Sequence, residues 1–265
     1  MAASPSSPGR SRTALVAELR AAGCVFAEEE AALLAAAACS ERELSELVGR
    51  RVDGVPLEHV LGWAEFCGLR IVVEPGVFVP RRRTEFLARC AAEGLVPGAV
   101  VVDMCCGSGA VGAVLGQEIA GIELYAADVD PVAVRCARRN IGPLGGRVFA
   151  GDLYAPLPGS IAGRVDVLVA NAPYVPSHAV ALMPPEARLH EPLVALDGGG
   201  DGLDVHRRLT AAAPGWLAPG GRLLMEIGES QVDTALAILA EAGFEATVRV
   251  SNAHDATVVA GTRPS

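Results

Sequence analysis

The chain has 265 residues, 51% of them hydrophobic, and a formal net charge of −9, enough length and apolar content for one full α/β domain plus a small partner unit. That charge works against general affinity for a nucleic-acid backbone and favours a protein or small-molecule partner. All 22 basic residues are Arg, which excludes a P-loop lysine, a Schiff-base lysine and a lysine general base.

The opening "MAASPSSPGRSR" lacks the apolar core of a signal peptide or membrane anchor, so residues 1–12 are expected to form a disordered tail. No uninterrupted run of eighteen apolar residues follows, and a cytoplasmic protein with no membrane partner is expected. The seven Cys are an odd number without paired spacing and suit reduced thiols packed as small hydrophobes. Cys105 and Cys106 lack a second Cys/His pair at ligand spacing, so no metal is implied.

Residues 13–52 carry helical patterns: "TALVAELRAAG" ends at Gly23, "AEEEAALLAAAAC" has its acids in the first turn, and "SERE" (Ser40, Glu43) is a capping box opening a third helix. Residues 53–95 form a linker. Apolar pieces around Leu69 to Val73 and Val77 to Val79, separated by "EPG", predict its β-hairpin. From residue 96 to 265 short apolar strands alternate with helical patterns, which predicts a parallel doubly wound sheet.

Within that domain the polar signals fall at strand ends. "VVVDMCCGSGAVGAVLG" is a buried strand, a turn with Gly107 and Gly109, and a helix; such a turn admits a cofactor close to the backbone. The next strand ends in "AADVD", with Asp128 nineteen residues after Gly109, the spacing of an acid that binds ribose hydroxyls. A third ends in "AGDL", where Asp152 and Leu153 could bracket an adenine ring, and a fourth runs into "NAPY", Asn171 to Tyr174. Four consecutive strand ends point to a nucleoside-type cofactor. Because Gly112 completes G-S-G-A-V-G, the pattern leaves a dinucleotide and S-adenosyl-L-methionine both open.

The motifs "DMCCGSGA", "AADVDPVAV", "GDL" and "NAPY", in this order, resemble class I methyltransferases whose fourth motif is Asn-Pro-Pro-Tyr. "VPLEHVLGWAEFCGLRIVVEPGVFVPRRRTEFL", "EPLVALDGGGDGLDVHRRL" and "LAPGGRLLMEIGESQ" sharpen this to the HemK/PrmC family of protein-(glutamine-N5) methyltransferases, over about residues 50 to 261. The resemblance implies a Rossmann-like class I methyltransferase sheet of seven strands with a small N-terminal helical domain. It implies S-adenosyl-L-methionine as cofactor, held by Asp103, Cys105, Cys106, Gly107, Ser108, Gly109, Asp128, Asp152, Leu153 and Asn171. The implied substrate is a protein with an exposed glutamine, a peptide-chain release factor with its Gly-Gly-Gln loop.

A carboxamide nitrogen is a poor nucleophile because its lone pair is delocalised. If Asn171 Oδ1 and the Ala172 carbonyl each accept one amide hydrogen, the nitrogen is oriented for in-line attack, with Pro173 stiffening the turn and Tyr174 stacking on the amide. The alternatives are methylation of a small-molecule or adenine amino group, and a module that binds cofactor or protein without catalysis.

The chain departs from the family in Ala172 for the first Pro, Cys105 for a Gly, "PRRRTEF" for Pro-Arg-Pro-Glu-Thr-Glu, and a shorter helical region. Arg81, Arg82 and Arg83 read as a surface charge run, or as an anchor for the linker or an acidic partner. The resemblance implies a pocket wall at Glu191 and Pro192, equally readable as a solvated loop, and a place near the cofactor for Thr84; the five His share no spacing that assigns them chemistry.

Overall fold

The computed structural model describes residues 11–265, so the tail expected over residues 1–12 lies outside them except for its last two positions. Those two already begin structure: Ser11 caps the first helix, α1 (Arg12–Ala21), its hydroxyl accepting from Ala14 N at 3.2 Å. Next come α2 (Ala27–Ala37), α3 (Glu41–Val52) and α4 (Leu57–Leu61). Ser40 accepts from Glu43 N at 3.2 Å, but Glu43 reaches back to the N–H of Cys39 instead of Ser40, so the cap closes one residue early.

Leu15, Leu19, Leu34, Val48 and Val60 form this unit's own core. Arg51 on α3 is buried and bonds Glu30 Oε2 at 2.6 Å, and its other arm bonds Glu186 Oε1 at 2.6 Å, 135 residues away. A desolvated guanidinium bound on two sides is costly to leave unpaired. It therefore ties the helical unit to a short helix of the larger domain, Pro185–His190.

A hairpin follows, β1 (Trp63–Phe66) against β2 (Leu69–Val72), with Phe66 opposite Leu69. This corrects the expected hairpin: its turn is Cys67–Gly68, both with positive φ, and not "EPG". "EPG" does turn, Val77 N donating to Glu74 O at 3.0 Å, but Val77 and Val79 pack as buried loop residues with Ala64, Val73 and Cys136. Val77 and Val79 are apolar because they are buried in the loop, not because they pair in a strand.

After α5 (Thr84–Ala92) the larger domain alternates: β3 (Val100–Met104), α6 (Ala110–Glu118), β4 (Glu123–Asp128), α7 (Pro131–Ile141), β5 (Arg147–Ala150) and β6 (Val165–Ala170). Then come α8 (Ser177–Val180), α9 (Pro185–His190), α10 (Asp204–Ala212), β7 (Leu217–Ile227), α11 (Val232–Glu241), β8 (Glu245–Ser251) and β9 (Ala256–Thr262). The seven strands order as β5-β4-β3-β6-β7-β9-β8. β5, β4, β3, β6 and β7 pair in parallel, whereas β9 is antiparallel to both β7 and β8, its short turn from β8 permitting only antiparallel pairing with that strand.

Both sheet faces are buried, as a parallel sheet requires. On β3, Val101 faces a core that includes Leu87 of α5 and Leu115 of α6, whereas Val100, Val102 and Met104 face Leu168, Leu209 and Leu223. The chain reverses its winding between β3 and β6, so a crevice opens beyond the C-terminal ends of these strands. Among the described residues no helix is long and apolar enough to cross a membrane.

Candidate active site

A cavity of about 620 Å³ occupies that crevice and is lined by Asp103, Cys105, Cys106, Gly107, Ser108, Asp128, Asp152, Leu153, Asn171, Ala172, Pro173 and Tyr174. Gly109 alone of the expected site residues does not line it, because its glycine serves an internal purpose. With φ at 76°, a Cβ there would stand 2.8 Å from Ile141 Cδ1. Gly107 differs: φ is 54°, and an added Cβ would meet no protein atom within 4 Å. This is the backbone that a ligand can approach.

Two non-glycine residues at the same edge, Cys105 (φ 55°) and Leu153 (φ 46°), also hold left-handed backbone. Such conformations persist only when surroundings enforce them, and they gather at ligand sites. Burial pushes both the Cys105 and Cys106 thiols up, so neither is a ready nucleophile. Among the described residues no His, Cys, Asp or Glu cluster could hold a metal ion.

Asp128 Oδ2 accepts from Gly107 N at 2.8 Å and its Oδ1 from Asp130 N at 2.9 Å, which fixes the carboxylate while leaving lone pairs for vicinal hydroxyls. Asp152 pairs with Arg208 of α10, a cavity residue that sequence reasoning missed. The apolar Leu153 beside this pair suits a flat ring. Asp103 also serves the fold: its Oδ2 accepts from Gly112 N at 2.8 Å, bracing the first turn of α6.

Burial pushes the Asp103 carboxyl up to about 8, with the Gly112 bond opposing and the Asp128 charge adding. The folded protein thus holds a proton here that the unfolded chain releases above the ordinary value of 3.8. Stability from this group is complete at acid pH and is lost as pH rises toward 8. Asp103→Asn keeps the acceptor and cannot ionise, so its urea midpoint should fall less than wild type's between pH 5 and pH 8. Parallel midpoints for the two proteins would show that another group carries the dependence.

At the end of β6, Asn171 Nδ2 donates to Thr84 Oγ1 at 3.1 Å. Among the described residues no donor is bonded to Asn171 Oδ1 or to the Ala172 carbonyl. The Tyr174 hydroxyl donates to Glu226 Oε1 at 3.1 Å, and burial pushes that phenol up to about 12. The Gly-rich segment packs on the same turn: Gly198 N donates to Val175 O at 2.8 Å, and Gln231 Nε2 joins Tyr174 O at 3.0 Å to Asp201 O at 2.9 Å.

Glu191 is buried, not solvated, and accepts from Arg81 Nη2 at 2.6 and 2.7 Å and from Val79 N at 3.2 Å. Burial raises its carboxyl while Arg81 holds it down. Of the Arg run, Arg81 is therefore a staple between the hairpin region and the loop carrying Pro192. Arg82 is exposed, and Arg83 approaches Tyr174.

The matched family model, the methyltransferase small domain, covers residues 68–201, half of the chain. A release factor glutamine methyltransferase from Geobacter sulfurreducens is 40% identical over 200 residues, which are 75% of this chain and 69% of that protein. The chain belongs to the release factor glutamine methyltransferase family. Another member-like relative, a 4-amino-L-phenylalanine/4-methylamino-L-phenylalanine methyltransferase from Streptomyces pristinaespiralis, is 36% identical over 78% of this chain and 70% of its own length. The fold is also that of a T. thermophilus 16S rRNA methyltransferase solved with AdoMet and guanosine, at TM-score 0.56, 20% identity and coverage of 76% of this chain and 49% of that one. Family membership fixes the reaction class as methyl transfer.

Proposed function

We propose that the protein transfers a methyl group from S-adenosyl-L-methionine to the N5 amide nitrogen of a protein glutamine, in the Gly-Gly-Gln loop of a peptide-chain release factor. The supporting observation is the pair of acceptors, Asn171 Oδ1 and the Ala172 carbonyl, side by side in sequence on the cavity wall with no protein donor on either.

When bound, the cofactor supplies a cationic sulfonium methyl, an electrophile that needs no covalent enzyme intermediate. Asp128 would hold its ribose hydroxyls, Asp152 and Leu153 its adenine, and the open backbone at Gly107 its close approach. Asn171 and Ala172 each accept one hydrogen of the substrate carboxamide, so the amide plane is fixed and its nitrogen gains electron density. Pro173 stiffens the turn between these acceptors and Tyr174, whose ring covers the amide. Glu191 and Arg81 hold the outer wall against solvent.

A second reading is favoured by the Streptomyces pristinaespiralis relative and by Glu58 and Arg83 on the cavity wall, opposite charges that suit a free amino acid. The test is transfer of labelled methyl to purified release factors and, in parallel, to 4-amino-L-phenylalanine, with mass spectrometry locating the label. Label on the loop glutamine is expected. Label on the aryl amine alone would replace the glutamine reading with the second one.

A further inference from the structure

Most large apolar side chains of this protein are covered, and the exceptions are not evenly scattered. Of the ten that stand exposed among the described residues, four fall within a span of thirteen residues: Leu182 (84% exposed), Leu189 (70%), Leu193 (60%) and Val194 (50%). A single exposed leucine needs no explanation, but several on one segment mark a surface that is covered in use.

That segment follows the Asn171 to Tyr174 turn through α8 and α9, and its inner side lines the cavity with Met183, Pro184, Ala187 and Pro192. Val194 belongs to both surfaces, since it lines the cavity and is half exposed. Two ion pairs hold the segment in place. Glu186 is tied to the buried Arg51 of the helical unit at 2.6 Å, and the buried Glu191 to Arg81 at 2.6 and 2.7 Å. Breaking either pair strands a buried charge. The segment is thus fastened by its acids, with Leu189 between the two anchors and Leu193 just beyond the second, both facing water.

We propose that residues 182–194 form an apolar lip that docks the polypeptide on either side of the methylated glutamine. The inference rests on the release-factor reading above. A cavity of about 620 Å³ has the size that encloses a cofactor-sized ligand, so of a protein acceptor only the glutamine side chain enters it. The backbone that carries this side chain lies across the mouth, and the lip is apolar surface continuous with that mouth. The fitting partner is a protein loop with apolar side chains near its glutamine. A free amino acid would sit wholly within the cavity and leave the leucines wet, and a second copy of this chain seated on the lip would block the mouth to a protein acceptor.

The test uses purified release factor with wild type, the double variant Leu189→Ser with Leu193→Ser, and the control Val96→Ser. Val96 is 60% exposed but lies just before β3, at the opposite end of the sheet from the crevice. Methyl-transfer kinetics, equilibrium titration of the release factor, thermal melting and sedimentation velocity are recorded for each. The double variant should raise KM and Kd for the release factor about tenfold, with kcat and the Kd for S-adenosyl-L-methionine within about threefold of wild type. Val96→Ser should match wild type throughout. Leu182→Ser should raise KM in the same direction, and it decides the matter if the double variant melts early.

A double variant whose KM and Kd stay within about twofold of wild type overturns the lip. So does a fall in kcat at unchanged KM, which would make the segment cavity wall and nothing more. Self-association of wild type that the double variant loses, with KM unchanged, assigns the surface to a second copy and overturns the proposal as well. Wild type that labels no release factor removes the glutamine reading and the lip with it, whereas wild type that labels it while the double variant behaves like Val96→Ser removes the lip alone.

Discussion

Asn171→Ala should lower kcat for amide methylation by about 10³-fold while leaving the Kd for S-adenosyl-L-methionine within about threefold. The asymmetry follows from where the residue sits. Asp128, Asp152, Leu153 and the Gly107 turn cluster at the ends of β4, β5 and β3, on the side of the crevice away from β7, and none of them is bonded to Asn171. On the proposed reading, truncating Asn171 removes one of the two acceptors offered to the substrate nitrogen and strands the Thr84 hydroxyl, while the residues proposed to hold the cofactor's ribose and base are untouched.

Asn171→Asp is the sharper control. The carboxylate keeps an acceptor on the substrate side, the bond to Thr84 must reverse with the hydroxyl donating, and a charge enters a half-buried site that now faces the amide. It should be as inactive as Asn171→Ala. Isothermal titration with the cofactor and single-turnover methyl transfer separate binding from chemistry in both variants; loss of cofactor affinity equal to loss of rate would move Asn171 from the acceptor site to the cofactor site.

The larger domain was legible because its signals are local. A buried strand followed by a Gly turn, an acid nineteen residues on, and Asp152 and Asn171 at later strand ends each announce themselves within a few residues, and the parallel winding brings them to one edge. What the sequence does not show is pairing between distant segments. Arg51 with Glu186, Arg81 with Glu191 and Thr84 with Asn171 join positions 135, 110 and 87 residues apart, and nothing in the neighbourhood of any one of them names its partner.

Some weak signals were present. Glu226 is a lone acid closing the apolar run "LLMEI", and a charge at that position on a central strand must find partners or stay neutral. Gly109 is expected at the ligand edge with Gly107, but a strand-turn-helix motif cannot tell a glycine that faces a cavity from one pressed against Ile141. The antiparallel β9 was hidden for a similar reason. Its apolar run looks like any buried strand, and only the short turn after β8 distinguishes it.

Gly202→Ala should destabilise the fold by about 4 kcal/mol and reduce methyl transfer in whatever fraction still folds. Two costs add at this position. The backbone φ is 85°, which Ala adopts only with strain, and a Cβ would stand 2.3 Å from Tyr174 O and 2.4 Å from Gln231 Nε2. The second cost is the more informative, because Tyr174 O is backbone and cannot swing aside. Gln231 bonds that same carbonyl, so the new methyl either breaks the Gln231 bridge or pushes Tyr174 toward the cavity.

A Gly-rich run can be mistaken for a flexible loop, yet here it is a packing surface for the Asn171 to Tyr174 turn. Gly198 is as tightly placed: a Cβ there would lie 2.6 Å from Pro173 O. Gly200, in the same run, would meet nothing within 4 Å, so Gly200→Ala is the matched control and should change neither melting nor rate appreciably. Thermal melting and single-turnover kinetics on the two variants test the assignment directly. If Gly202→Ala behaves like Gly200→Ala, the run is only a loop; if it melts early and the surviving protein keeps its cofactor affinity but not its rate, the geometry of the Asn171 to Tyr174 turn is set from behind by glycine contacts.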